Sequence, residues 1–442
     1  MSQTPIRESL PEPDSSPAAS HAALTRGVWG NAWREWRLLW RDRWIAAMVS
    51  WLPILLFVLM WGVFSAGIAR DLPIGVVDLD HSALSRQLAR DYDASPTLAV
   101  TASYASVAQG SDALRGGDIY ALVVIPTQLE TQTLRGMAPT VTAFYNSQFV
   151  LIGKLINSAV QQAQGTLNAK INTLQNMASG VDVPLQALGQ AVPVQSQITP
   201  LYNSNSHYGQ FLVPVAIPAI WQIAIVITTI LALSAEQRRG HGVGTTGGKS
   251  GIRGITEWLG CTPVRALVGK LLPYTGLFML QGALFLWALY VWLGWPMHGH
   301  WGILLLAQCL MVLACQGVAC LLFLFPLDAT KAMSFAAGLT APAFAFVGVT
   351  FPATDMPDFA LFWRALLPAT HYVDVQLHQV NHGQDWSQAL PQLAALLVFG
   401  VTLIIAMYRV KQLAHDNGPA QGLAKGQTEE QENSPTPKEN NA

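Results

Sequence analysis

Six long stretches of this chain carry no charged side chain: Ile45–Ile68, Phe211–Ala235, Leu271–Gly294, Trp301–Leu327, Ala332–Phe351 and Leu390–Met407. A helix needs about 20 consecutive apolar residues to cross a hydrocarbon core of about 30 Å. Each run has roughly that length, so the pattern predicts six membrane-spanning helices. The first would be about 36 Å long as a helix, longer than a signal-peptide core, and no small-residue cleavage site follows it. The composition agrees: 51% of residues are hydrophobic and 12% are charged, against about 25% charged in soluble proteins. With a net charge of −1 there is no basic surplus to displace counterions from nucleic-acid phosphates, so nucleic acid is excluded as a partner.

Six spans put both termini on one side. Lys and Arg in short flanks decide which side. Arg26, Arg34, Arg37, Arg41 and Arg43 precede the first span. Arg238, Arg239, Lys249, Arg253, Arg265 and Lys270 separate the second from the third, and Arg409 and Lys411 follow the last. All three flanks fall on the same, cytoplasmic, side. Trp44, Trp292, Trp295 and Trp301 stand at span ends, where amphipathic rings favour the interface. Residues 1–25 and 413–442 are polar and cannot bury enough apolar area to offset ordering entropy, so both ends are expected to be disordered.

The long segment after the first span, residues 69–208, lies outside in this topology and has the pattern of a folded domain. Ile74–Val77, Leu98–Thr101, Ala121–Ile125 and Val141–Tyr145 are short strand-like runs. They alternate with helical patterns after Asp80 and over Ser106–Leu114, the latter ended by Gly116–Gly117. Phe149, Ile152, Ile156, Ala159, Ala163, Leu167, Ile171 and Leu174 then recur at spacings of three and four, which predicts an amphipathic helix of roughly 30 residues, ended by Gly180 and Pro184. The fold class is therefore a polytopic α-helical membrane protein with an inserted external α/β domain carrying a long amphipathic helix.

Sites for chemistry are scarce. Asp78, Asp80 and His81 could approach a metal, but hard cations want more oxygen ligands, and Asp80 or Ser82 reads as a helix cap. The scattered His207, His298, His300, His371, His378 and His382 have no zinc spacing. Cys261, Cys309, Cys315 and Cys320 form no disulfide framework and read as small hydrophobes. His241–Ser250 reads HGVGTTGGKS, but a P-loop wants Gly where Val243 stands, five positions before Gly248, and a preceding strand. The segment reads as a Gly-rich insertion, with no catalytic residues and no bound cofactor expected in this chain. The six runs contain no Asp, Glu, Lys or Arg, whereas ion-coupled carriers usually do; coupling to Na⁺ through backbone carbonyls stays open. Gln222, Gln281, Gln308 and Gln316 are the strongest polar groups inside. They serve either interhelical hydrogen bonding or a polar part of a substrate on its path.

The order of several segments resembles an ABC-2 type exporter permease of the branch with a large external domain between the first two spans. IGVVDLDHSALSRQL (Ile74–Leu88) and GDIYALVVIP (Gly117–Pro126) resemble its domain strands. YNSNSHYGQFLVP (Tyr202–Pro214) resembles the approach to the second span. ITEWLGCTPV (Ile255–Val264) and GKLLPY (Gly269–Tyr274) resemble the cytoplasmic loop and third span. LLPATHYVD (Leu366–Asp374) resembles the external segment, near 353–388, before the last span. The resemblance covers roughly residues 30–412. It implies a dimer with a second permease copy or homologue and a separate ABC ATPase using ATP and Mg. It also implies a bacterial inner-membrane location and, in many such systems, a periplasmic adaptor. It further implies that residues 236–270 form a coupling loop in which Glu236, Arg238, Arg239, Glu257, Trp258, Leu259, Thr262 and Pro263 contact the ATPase and transmit its motion. One departure stands out: Gly240–Gly254 is an insertion where the family runs almost directly on.

Two readings follow. The first is a permease moving a hydrophobic or amphipathic compound out of the cytoplasm or inner membrane. The second is a membrane-anchored sensor or scaffold whose external domain binds a ligand or partner. A sensor needs one or two spans rather than six, which favours the first. The charge bias makes the topology testable. In intact cells, a cysteine introduced at Ser111 is expected to react with an impermeant thiol reagent and one at Ser250 is not; the reverse pattern would refute the orientation.

Overall fold

The computed structural model describes residues 27–179, 184, 188, 201–203, 207–239, 255–256, 258–260, 262–349 and 351–416. Contacts divide the chain into two compact units, one of Met1–Ser65 with Gly209–Ala442 and one of Ala66–Tyr208. The expected disorder of residues 1–25, the Gly240–Gly254 insertion with its GKS segment, Glu257, Cys261, Gly180 and the tail beyond Asp416 lie outside the described residues.

The first helix among the described residues is α1, Val28–Leu39, which buries Asn31, Ala32, Glu35 and Leu39 on one face. Trp29, Trp33, Trp36 and Trp40, spaced by three and four, stand exposed on the other. Asp42 opens helix α2, Arg43–Val49, by accepting from the Trp44 and Ile45 amides; helix α3, Trp51–Phe64, follows. The single span expected over Ile45–Ile68 is thus two helices bent by 45° at Ser50, ending at Phe64. Proline explains the bend. Pro53 has no N–H to give the Val49 carbonyl four residues back, and its ring crowds that oxygen. The Gln281 side chain takes the vacant place, donating to Val49 O at 2.7 Å.

The second unit is a four-stranded sheet in the order β2-β1-β3-β4. Strand β1 (Leu72–Asp78) leads through helix α4 (Ala83–Asp93) to β2 (Leu98–Ser103), then through α5 (Val107–Gly116) to β3 (Ala121–Ile125). Strands β2 and β3 both pair parallel to β1. A short helix α6 (Leu129–Leu134) precedes β4 (Thr142–Tyr145), which pairs antiparallel to β3, and the 29-residue helix α7 (Val150–Ala178) closes the unit. Period-two alternation sorts the strands. Ile74, Val76, Ala121, Val123 and Ile125 pack with Leu88 and Tyr92 of α4 and with Ile156, Val160 and Leu167 of α7. Val77 and Leu122 face α5. There Gly110 lets the helix close on the sheet, since a Cβ would lie 2.4 Å from Leu122 Cδ1. Ser82 caps α4 by accepting from the Ser85 amide. The Asp78 carboxylate accepts from the Asp80 and His81 amides and the Ser85 hydroxyl, and Asp80 accepts from the Glu130 amide.

The first unit resumes with helix α8, Tyr208–Arg239, the most enclosed of the long apolar helices. Helix α9, Pro263–Trp287, runs on as a π-helical turn to Trp292, and α10 follows over Trp301–Leu324. The run expected as one span over Ala332–Phe351 is broken. Helix α11, Ala329–Thr340, stops before Pro342, and α12 covers only Ala343–Phe346. Pro342 removes a donor and restricts the residue before it, and the Gly- and Ala-rich sequence offers little side-chain packing to bridge the break. Helices α13 (Asp358–Ala365) and α14 (Pro368–Leu377) come next, followed by a π-helical turn over His378–His382. Arg364 gathers this region, donating to the Phe346 and Val347 carbonyls and to Asp374 Oδ2.

The ends of the broken segment are pinned apart. Gln237, at the end of α8, donates to Leu327 O at 2.8 Å. At the other end, the His298 amide donates to Val380 O and the His300 amide to Gln379 Oε1. Helix α10, about 36 Å long, separates His300 from Leu327. The last helices among the described residues are α15, Trp386–Val398, and α16, Gly400–Asp416. Disorder expected from residue 413 is therefore wrong for 413–416: the helix continues, and Leu413 is buried. Helices α10 and α16 touch at Gly317, where a Cβ would meet Thr402 Oγ1 at 2.0 Å and the Leu403 amide at 3.2 Å. Gly317→Leu is expected to destabilise the detergent-purified protein by about 1–3 kcal/mol through overpacking, read as a lower melting temperature. Gly276→Leu, at an exposed position where a Cβ meets nothing within 4 Å, is expected to change little.

Candidate functional site

The segments expected to form the coupling loop converge with α1 at one end of the helical bundle. The approach depends on a glycine. At Gly269, near the start of α9, a Cβ would lie 2.6 Å from Val28 O and 2.7 Å from Asn31 Cβ. Only hydrogen fits between the two backbones, and α1 packs against α9 along this contact.

That contact brings a set of charges together inside the protein. Lys270, buried on the first turns of α9, donates to Glu35 Oε2 and to Glu236 Oε1, both at 2.8 Å. The second Glu35 oxygen accepts from the Tyr274 hydroxyl at 2.8 Å. The second Glu236 oxygen accepts from Arg34 at 2.8 Å, and Arg239 adds a bond to Glu236 Oε1 from the rim. Glu35, Glu236 and Lys270 are each less than 5% exposed. Two carboxylates face two cations at the centre, and every carboxylate oxygen is bonded. Such a set survives burial only because its geometry satisfies each group. It joins three segments distant in sequence: α1 through Arg34 and Glu35, the end of α8 through Glu236, and the start of α9 through Lys270 and Tyr274.

The predicted coupling residues divide around this cluster. Glu236 is at its centre and Arg239 at its edge. Arg238 turns toward Asp42, at 3.9 Å, and the Ser234 hydroxyl. Trp258 is half-buried, with Lys270 5.4 Å from its ring centroid; a cation over an indole face is a favourable contact. One face of its ring thus lies against Lys270, and part of the ring stays exposed. Leu259 is buried in the bundle core with Ile255. Thr262 and Pro263 begin α9, proline standing at a first-turn position where its missing N–H costs nothing. Glu257 lies outside the described residues. Arg265 is exposed one turn ahead of Lys270.

The four glutamines are spread through the bundle and bond its own backbone and side chains. Gln222 accepts from the Ala369 amide at 2.8 Å, capping α14. Gln281 bonds Val49 O and accepts from Trp221 Nε1. Gln308 donates to Met279 O, and Gln316 accepts from the Thr275 hydroxyl. Gln222 Nε2 and Gln308 Oε1 have no hydrogen-bond partner among the described residues. Two apolar hollows lie beside α8. One, of about 100 Å³, is lined by Pro53, Phe57, Trp221 and Phe285. The other, of about 280 Å³, is lined by Met60, Ala216, Ile220, Thr340 and Phe344. Within the second unit, a cleft of about 380 Å³ has a floor including Leu88, Leu129 and Leu167 and a rim with Gln164, Asn168 and Asn172.

Sequence reasoning missed Glu35, Arg34, Lys270 and Tyr274 as site residues. Lys270 and Arg34 counted only as flanking positive charge. Helices α8 and α9 extend past the charge-free runs, so Glu236 and Lys270 lie within them, near their ends. The available signal was Glu35, a lone acid among arginines one turn from Leu39 on the buried face of an amphipathic helix.

A family model described as ABC-2 family transporter protein matches residues 43–409. No curated protein and no solved structure matches the chain.

Removing Lys270 leaves the buried Glu35 carboxylate with no cation and only the Tyr274 hydroxyl among the described residues, while Glu236 keeps Arg34 and Arg239. Lys270→Met is therefore expected to cost about 3–5 kcal/mol, read as a large loss of melting temperature or of monodisperse protein in detergent. Arg239→Gln, at the rim and 41% exposed, is expected to cost less than 1 kcal/mol. Equal losses from the two would show that the buried bonds carry no special weight.

Proposed function

The chain belongs to the ABC-2 family of transporter proteins, and from that premise we propose that it is the membrane-spanning permease subunit of an ATP-driven exporter. A separate ABC ATPase supplies the energy, and the cargo is a hydrophobic or amphipathic compound. The observation that carries this reading is the buried cluster of Glu35, Lys270 and Glu236. It joins α1, α8 and α9 at the end of the bundle where the chain's Arg and Lys flanks gather. By the positive-inside bias that end is cytoplasmic, so the cluster lies where an ATPase can push. An interlocked α1–α8–α9 junction passes such a push into two long helices together. The docking surface itself is then built from the loop's exposed groups, such as Arg265, while Trp258 and Leu259 hold the loop to the bundle.

The pinned ends of the broken segment support six crossings. Residues from Leu327 to Gln379 run from one end of α10 to the other, so α11 and α12 with their neighbours make the fifth passage as a discontinuous one. Non-helical backbone is tolerated at membrane depth where it is buried in protein or lines a cavity. The apolar hollow beside Thr340 and Phe344 opens at this break, which suits a cargo with little charge. A second copy of the chain completes the dimer and the path in this reading, with residues 66–208 outside the membrane.

A sensor or scaffold role has one observation in its favour, the amide-rimmed cleft of the external unit. It leaves the ionic junction and the bundle without a use.

Purified alone, the chain is expected to show no ATP hydrolysis. Co-expressed with its ATPase, it should retain that partner through purification. Arg34→Ala, which frees α1 from Glu236, is expected to leave the ATPase bound while export falls several-fold. Hydrolysis by the isolated chain that disappears in Lys249→Ala, or full export by Arg34→Ala, would overturn the proposal.

A further inference from the structure

Between α1 and α2 the surface opens into a hollow of about 610 Å³ lined by Leu38, Arg41, Asp42, Arg43, Trp44 and Arg239. Its charge is one-sided. Arg41 and Arg43 are exposed, and among the described residues neither guanidinium has an ion-pair or hydrogen-bond partner. Arg239 reaches Glu236 through Nη1 and keeps its outer edge on the hollow. The one carboxylate in the lining is already engaged: Asp42 Oδ1 accepts from the Trp44 and Ile45 amides, and Oδ2 lies 3.9 Å from Arg238. Three arginine forks thus border a concave surface with no free anion in it.

The setting of the hollow selects among anions. In its lining stands the indole of Trp44, 79% exposed, and α3, next along the chain, exposes Leu55 and Leu59. Tryptophan with arginine at the edge of an apolar surface is the pattern of a water–lipid boundary. A ligand held there would have an anionic head at the arginines and an apolar body along α2 and α3. Arginine forks match phosphate oxygens bidentately.

We propose that this hollow is a binding site for the phosphate headgroup of an anionic glycerophospholipid, with Arg41, Arg43 and Arg239 as its ligands and Trp44 marking the glycerol level. The site has a route to the buried cluster. Arg239 bonds Glu236, so a phosphate drawing Arg239 outward alters the bonding of the carboxylate that also holds Lys270 and Arg34. Lipid in this site is therefore a regulator of the α1–α8–α9 junction. The proposal rests on the chain being embedded in a bilayer; it does not need the direction of transport or the identity of the cargo.

The test uses the full chain in neutral detergent without the ATPase, so its outcome is independent of the exporter reading. Lipid retention is measured by native mass spectrometry during titration with phosphatidylglycerol, with phosphatidylcholine and with inorganic phosphate. Saturable phosphatidylglycerol binding is expected, with weak phosphatidylcholine binding and no competition from millimolar phosphate. Arg41→Gln/Arg43→Gln is expected to weaken phosphatidylglycerol affinity about tenfold or more, the loss of at least one charge-assisted contact. The Lys pair at the same positions is expected to recover part of it. Arg37→Gln, whose guanidinium lies over the Trp33 ring and outside the hollow, is expected to bind as the parent does. Equal loss in Arg37→Gln would mean diffuse surface charge, and effective competition by phosphate would mean a simple anion site. Undiminished binding in the double Gln variant would mean no site at all. Each of these overturns the proposal.

Discussion

Lys270 between two carboxylates is the contact on which the rest of the membrane unit's charged end depends. An ammonium group out of water is tolerable only if its charge is matched and its donors are used. Here Glu35 and Glu236 provide the match, Tyr274 and Arg34 occupy the remaining oxygens, and the Trp258 ring covers the exposed side. No two of these groups lie on the same stretch of chain except Arg34 with Glu35 and Lys270 with Tyr274. The cluster therefore forms only when α1, α8 and α9 are all in place. That makes it a condition on assembly, and a neutral one at its centre, so it adds no net charge to the bundle.

A second constraint shapes the rest of the bundle. In hydrocarbon every backbone polar group needs an internal partner, and this chain breaks its helices repeatedly with proline. Two glutamines meet such needs, one at a proline break and one at an ordinary helix start. Gln281 serves the Val49 carbonyl that Pro53 cannot reach, and Gln222 serves the Ala369 amide at the start of α14. Glycine does the complementary job of letting elements close up: Gly269 admits α1 to α9, and Gly317 admits α16 to α10. The polar and small residues inside the bundle are largely explained by its own geometry. This leaves Gln222 Nε2 and Gln308 Oε1 as unengaged polar atoms among the described residues.

The α/β unit, Ala66–Tyr208, was the most legible part of the sequence, because its strands and helices are local. Ile74–Val77 and Ala121–Ile125 read as covered strands and are the two central ones, and the three-and-four spacing from Ile152 to Ile171 marks the buried face of α7. Helix existence in the membrane unit was legible from charge-free runs for the same reason. Breaks were not. A hydropathy run records what a segment dissolves in, and Pro53 and Pro342 interrupt helices without changing that. The ionic cluster was invisible for a different reason. Its members are 34 and 235 residues apart in sequence, and single charges flanking a span look alike whether they face water or one another. Trp258 is a case in point: nothing in its neighbourhood in the sequence signals that its ring lies against Lys270.

Helix α8 ties these features together. It carries Glu236 in the ionic cluster, Gln237 on the Leu327 carbonyl where the broken segment begins, and Gln222 on the amide that starts α14 near that segment's far end. Gln222 and Glu236 are separated by about 21 Å of continuous helix. Because intrahelical bonds hold such a rod stiff, a displacement imposed at Glu236 is delivered at Gln222 with little loss to bending. The segment it reaches is the one built from short helices, where Arg364 alone gathers the Phe346 and Val347 carbonyls and Asp374. Rigidity at the charged end and discontinuity between α11 and α14 are therefore complementary in the proposed permease. The first gives a push somewhere to act, and the second gives the bundle a place to yield.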